Sequence, residues 1–272
     1  MTRPSLADYG THDESAFPHL WDGVVGAWCP SLGPTGLRLH DFSRRANWGT
    51  LTNMDAATDW VVDGGQSVLD FDGSNDTVNA GTSPSLSTPD EMTFSLWVRP
   101  VLAVGVDVVA ANSNIGVTEV QWALEFNRTA NKFSILANAA TVALTSTTAI
   151  TQGDWYHVMF TRSGAIGSWV YRFFLNGRQD GEATTTQNPG NHSTVALGSY
   201  GAFDTSFTFR GMIDDARLYT RPLAISEGVL LASSRGIAYT PRRRRKAYFL
   251  GPSFNAAWAR GSNVLLQPCG VS

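Results

Sequence analysis

Hydrolysis of a glycosidic bond needs two carboxylates facing one groove, about 5–5.5 Å apart for retention or about 6.5–9.5 Å for inversion. Glycosidases built on stacked sheets set Glu-x-Asp-x-Glu along one strand, where a period of two puts all three on one face. The sequence contains no such triplet. Glu125 stands alone on its segment, and Asp214 and Asp215 are neighbours expected to point to opposite faces of a strand. No Gly-x-Ser-x-Gly elbow, phosphate loop or dinucleotide fingerprint occurs. The histidines His12, His19, His40, His157 and His192 are scattered, and His157 reads as a packed strand residue rather than a base. Cys29 and Cys269 fit no metal-ligand spacing and no redox pair. They are either one bridge between the chain ends or two separate thiols. These residues predict a chain that is not an enzyme.

A second group of chemically distinctive residues is cationic. Arg242, Arg243, Arg244, Arg245 and Lys246 form a run, and residues 241–272 hold six of the 20 bases and no acid. The remaining 14 bases face all 23 acids, so an acidic body carries a basic tail. Phosphate neutralisation needs clustered Arg or Lys, but no aromatic interleaving or nucleic-acid fold accompanies this run, so nucleic acid is not the expected partner. With Tyr248, Phe249 and Trp258 the segment reads as a docking strap: guanidinium forks for a neighbour's carboxylates and aromatics to bury beside them.

The elements that must position these residues are strands. In Met92 to Arg99, Met92, Phe94, Leu96 and Val98 share one face, and in Gln121 to Asn127, Trp122, Leu124 and Phe126 do so. Segments 67–71, 77–79, 132–137, 141–144, 155–162, 169–175, 195–197 and 207–219 read as further strands, with an apolar run at Val24 to Trp28. Asn176-Gly177 is a hairpin turn signal, and Trp97 and Trp155 are expected to enlarge the core. Ile225 to Ser233 is the one good helical segment. The pattern predicts an all-β protein, an antiparallel β-sandwich or jelly roll with one short helix and terminal extensions. The expected organisation is an arm over 1–20, the sandwich over 21–236 and a basic attachment segment over 237–272. No apolar run is long enough for a membrane helix, so no membrane insertion is expected.

Seven sequence elements, in order, resemble laminin-G-type domains of the concanavalin A-like class. They are Gly26-Ala27-Trp28, Leu39-His40-Asp41-Phe42-Ser43 with Asn47-Trp48-Gly49-Thr50-Leu51, Leu69-Asp70-Phe71-Asp72-Gly73-Ser74-Asn75-Asp76, Phe94-Ser95-Leu96-Trp97-Val98, Trp155-Tyr156-His157-Val158, Phe174-Leu175-Asn176-Gly177, and Gly211-Met212-Ile213-Asp214-Asp215-Ala216-Arg217-Leu218-Tyr219. The ends, His19-Leu20-Trp21-Asp22-Gly23 and the stretch from Ser253 to Leu265, resemble phage virion proteins carrying this domain. Residues 1–20 include Arg3, Asp13 and Glu14 and lack the apolar core of a secretory leader, in keeping with release on a particle.

The resemblance implies two kinds of site. One structural Ca²⁺ would take Asp41 and Asn47 with Asp214 or Asp215, since hard cations want about 6–8 oxygens. Arg44 and Arg45 beside that position oppose it, and the alternative is that Asp41 caps a turn. A glycan site would use loop aromatics and a polar partner: Tyr200, Phe203 and Asp204, with Trp48 as a further candidate. Those aromatics could instead simply close the ends of the sandwich. The implied role is a non-enzymatic virion surface protein serving capsid decoration or attachment to a host surface. Its expected partners are capsid or other virion proteins, met through the C-terminal segment, and surface glycans; a homo-oligomer is expected on a symmetric particle. The alternative is an extracellular or cell-surface bacterial lectin or adhesin, and behind it a glycoside hydrolase.

Overall fold

Alternation of apolar side chains decides where each strand lies, and the strands close on one another as two stacked sheets. The computed structural model describes residues 15–101, 105–114, 119–138, 141–151, 153–201 and 207–241. In chain order the strands begin with β1 (Val24–Trp28), β2 (Arg38–Leu39), β3 (Gly49–Thr52), β4 (Trp60–Asp63), β5 (Gln66–Asp72) and β6 (Thr77–Gly81). The middle set is β7 (Met92–Pro100), β8 (Val106–Ser113), β9 (Val120–Asn127), β10 (Lys132–Ala137) and β11 (Thr141–Thr145). The last are β12 (Tyr156–Ala165), β13 (Ser168–Leu175), β14 (Arg178–Thr185), β15 (Thr194–Leu197) and β16 (Arg210–Tyr219), followed by the helix α1 (Ile225–Leu231).

One sheet runs β14-β13-β12-β7-β16-β5-β4, with β1 also paired to β16; the other runs β11-β10-β9-β8-β15-β6-β3-β2. The pairings between these strands are antiparallel. Phe94 of β7 stacks on Trp122 of β9 with centroids 4.7 Å apart, and Phe133 of β10 stacks on Phe173 of β13 at 6.0 Å. These rings join the two inner faces, as aromatic residues do in sandwich cores. Asn176 and Gly177 take φ of 50° and 77° and join β13 to β14 as a two-residue hairpin.

Strands β8 and β14 escape the alternation signal for opposite reasons. β8 is buried on both faces, while β14 is a polar edge strand with no fully buried residue. Trp97 and Trp155 are not core residues. Trp97 is on the outer face, donating Nε1–H to the Leu231 carbonyl at 3.3 Å. Trp155 is half-buried under the Arg235 guanidinium. Trp28, Trp122 and Trp169 fill the core instead.

The packed unit also exceeds its expected limits. Ser15 Oγ–H donates to the Ala238 carbonyl at 2.7 Å, Ala16 N–H to the Thr240 carbonyl at 2.8 Å, and Trp21 Nε1–H to Ala238 at 3.1 Å. Leu20, Trp21, Ala238 and Tyr239 form a second apolar cluster with Met159, Phe174 and Leu231 beneath α1. Residues 15–20 and 237–241 therefore belong to the sandwich. The basic run, Tyr248, Phe249, Trp258 and Cys269 lie outside the described residues.

Candidate functional site

Asp41 organises the first candidate loop. Its Oδ1 accepts N–H from Ala27 at 2.9 Å and Ser43 at 2.8 Å; its Oδ2 accepts Ser43 Oγ–H at 2.7 Å and Asn47 N–H at 2.8 Å. The carboxylate is thus wrapped by four donors and is only 4% exposed. Asn47 turns its Nδ2 toward the Val25 carbonyl at 2.7 Å and Ser85 Oγ at 2.9 Å. These residues do not fit a calcium ion. The lone pairs a cation needs already hold N–H and O–H groups, and Asp214 and Asp215 sit in a separate hydrogen-bond network. Among the described residues no three His, Cys, Asp or Glu side chains converge as a metal site. The calcium expectation is corrected on that chemistry: Asp41 is a turn cap.

Asp214 and Asp215 do not point to opposite faces. The β16–β7 register shifts between Asp214 and Arg217, and Asp215 takes φ of 43°. This β-bulge keeps both carboxylates on the outer side while Ile213, Ala216 and Leu218 enter the core. Asp215 Oδ1 accepts Arg217 Nε–H at 2.9 Å, and its Oδ2 accepts Gly236 N–H at 3.0 Å. The Arg217 guanidinium is buried 4.8 Å from the Trp21 ring and 4.6 Å from the Tyr239 ring. The group ties β16 to Trp21 and to the segment 236–239 and is structural.

Asp214, 0% exposed, accepts N–H from Ser31 at 3.0 Å and Asp215 at 2.8 Å, while its Oδ2 has no hydrogen-bond partner among the described residues. Burial, reinforced by the Asp215 charge, raises its pKa from 3.8 to about 7. The folded protein therefore binds this proton more tightly than the unfolded chain does. The resulting stabilisation is complete below pH 3.8 and is lost as pH rises through about 7. Between pH 5 and 8 the urea midpoint of wild type should fall more steeply than that of Asp214→Asn. Parallel slopes would remove this assignment.

On the outer face of the second sheet, Val108, Ala111, Val120, Ala123, Leu136 and Tyr200 form a buried cluster, each at most 2% exposed, and Glu125 and Phe207 reach the surface at its edge. Glu125 projects from the same face of β9, and the Tyr200 hydroxyl donates to its Oε1. Burial raises the Glu125 pKa, and the tyrosine hydrogen bond pulls it back. The Phe207 ring stands 5.9 Å from the Tyr200 ring, edge to face, and is 38% exposed. A fixed carboxylate beside an accessible ring can accept sugar hydroxyls and stack on the apolar side of a pyranose.

The predicted glycan residues are redistributed by this geometry. Tyr200 is 1% exposed, so it supports the site through Glu125 rather than stacking on a ligand. Trp48 is half-buried with the Arg38 guanidinium 4.3 Å above its ring and His40 packed edge to face at 4.3 Å, so its stacking surface is occupied. Phe203 and Asp204 lie outside the described residues. Phe207 and the Tyr200–Glu125 pairing were missed. The alternation of β9 places Glu125 outward, but nothing local in the sequence brings position 200 over it.

A family model described as the concanavalin A-like lectin/glucanases superfamily matches residues 72–227, more than half of the chain. No curated protein matches by sequence. Domain 4 of AbnA, an extracellular arabinanase from Geobacillus stearothermophilus solved with arabinotriose, is 17% identical with a TM-score of 0.57, covering 77% of this chain and 98% of that domain. The binding domain of Paraclostridial Mosquitocidal Protein 1 is 15% identical with a TM-score of 0.57, covering 78% of this chain and 52% of that one. Trypanosoma rangeli sialidase is 16% identical with a TM-score of 0.57; the match covers 77% of this chain but only 32% of the sialidase. At these identities the likeness is one of fold, and it agrees with two antiparallel sheets and an ordered set of motifs. The chain belongs to the concanavalin A-like lectin/glucanases superfamily.

Proposed function

We propose that this chain is a non-enzymatic recognition module that binds glycans on the outer face of its second sheet and is displayed on a virion surface. The observation that carries the glycan part is the Phe207 ring exposed beside a Glu125 carboxylate held by Tyr200. The superfamily and the arabinotriose-bound relative support it. The non-enzymatic part is supported by the employment of the other candidate acids. Asp41, Asp214 and Asp215 are buried and engaged by backbone donors, whereas acid–base hydrolysis needs two carboxylates open to one groove.

Virion display rests on the terminal sequences and on the basic run from Arg242, which would clasp acidic surfaces of capsid or other virion proteins. A homo-oligomer suits that setting. On an array of neutral glycans the full chain should show saturable binding that Phe207→Ala weakens about tenfold, the value of one aromatic contact. Replacing Arg242, Arg243, Arg244 and Arg245 with Ser should release the protein from co-sedimenting particles without changing that binding. Array binding unchanged by Phe207→Ala, or particle association unchanged by the serine variant, contradicts the corresponding half.

A further inference from the structure

We propose that a second site, separate from the Phe207 face, binds the carboxylate or sulfate ester of an acidic saccharide in the cleft between β1 and the Asp41 loop. The cleft has a volume of about 410 Å³, and its lining includes Trp21, Val24, Val25, Ser43, Arg44 and Arg45. That size falls within the roughly 300–1,000 Å³ of small-ligand sites. Its mainly polar lining and its two guanidiniums suit a hydroxylated ligand that carries a negative group.

Three observations single out Arg44 and Arg45. First, both are exposed, and among the described residues neither side chain makes an ion pair or hydrogen bond. Arg99, Arg128, Arg172, Arg217, Arg221 and Arg235 each meet a carboxylate, whereas Arg44 and Arg45 stand side by side without one. Second, the loop is held rigidly. Asp41 fastens it at Ser43 and Asn47, and Ser43 Oγ accepts Arg45 N–H at 3.2 Å. The backbone that carries the guanidiniums therefore needs no further ordering, which leaves the side-chain rotamers as the ordering cost of binding. Third, Arg44 and Ala46 take φ of 69° and 57°, where glycine is the residue free of strain. A side chain kept at such a position is consistent with use of that side chain. Paired guanidinium forks recognise the oxygens of a planar carboxylate or a tetrahedral sulfate ester through charge-assisted hydrogen bonds.

The inference is independent of the glycan face, and the experiment separates the two. The full chain is titrated by calorimetry with a glucuronate-containing tetrasaccharide, a sulfated tetrasaccharide, neutral cellotetraose, inorganic sulfate and a glutamate peptide, at low and high salt. At least one acidic saccharide should bind more tightly than the neutral one, and added salt should weaken it. Arg44→Gly with Arg45→Ser should lower that affinity at least about tenfold. Arg44→Gly alone should raise the melting midpoint by about 2–4 °C through relief of strain, so lost binding cannot be put down to lost folding. Phe207→Ala should leave this binding unchanged. The proposal is overturned if no acidic saccharide binds, or if the double variant binds as wild type does. It is equally overturned if inorganic sulfate matches the saccharides, an adventitious ion only, or if the glutamate peptide binds more tightly than both.

Discussion

Arg217→Leu should destabilise the protein by about 3–5 kcal/mol, because it leaves one half of a buried ion pair behind. Arg217 and Asp215 are 2.9 Å apart with side-chain exposures of 1% and 2%. Removing the guanidinium strands the buried Asp215 carboxylate and takes a cation from beside the Trp21 and Tyr239 rings. The effect should reach beyond β16, since Trp21 and Asp215 fasten the segment 236–238, through Ala238 and Gly236. Adding Asp215→Asn to Arg217→Leu should recover part of the loss, the orphaned charge being its larger component. Urea unfolding of the three variants tests this; a loss below about 1 kcal/mol for Arg217→Leu, or no recovery in the double variant, contradicts it.

The second large effect is expected at Asp41. Asp41→Ala removes the acceptor for four buried or half-buried donors at once. With each orphaned donor costing about 1–3 kcal/mol and some rehydrating in a loosened loop, a net loss of about 3 kcal/mol is expected. Asp41→Asn should lose less than alanine, because its amide oxygen still serves two of those donors. The anion site should fail together with the loop, since Arg44 and Arg45 depend on it for their placement. Full retention of acidic-saccharide binding in Asp41→Ala would show that the loop is not the device that positions them.

Much of this architecture is legible in the sequence because period-two alternation carries it. Phe94, Leu96 and Val98 face Trp122, Leu124 and Phe126 as their spacing requires. The bulge at Asp215 is invisible to that reasoning: one extra residue reverses the facing of every position before it. Trp97 shows a related limit. Its alternation assigns it to the outer face, but size alone suggests the core, and alternation wins because α1 and Leu231 cover it. For the recognition surface, only the pieces were legible. Glu125 and Tyr200 lie 75 positions apart, and their contact depends on β15 pairing with β8 and β8 with β9, which no local pattern encodes. The destination of Asp41's carboxylate was equally non-local: Ala27 N–H comes from β1, across the turn.

The most direct test of the account is an NMR titration of the full chain with the neutral oligosaccharide that binds most tightly on the array, followed for a day. The account predicts saturable shifts clustered on Glu125, Tyr200 and Phe207, and an unaltered sugar spectrum throughout. Shifts that avoid those residues, or the appearance of a new reducing end, would contradict it.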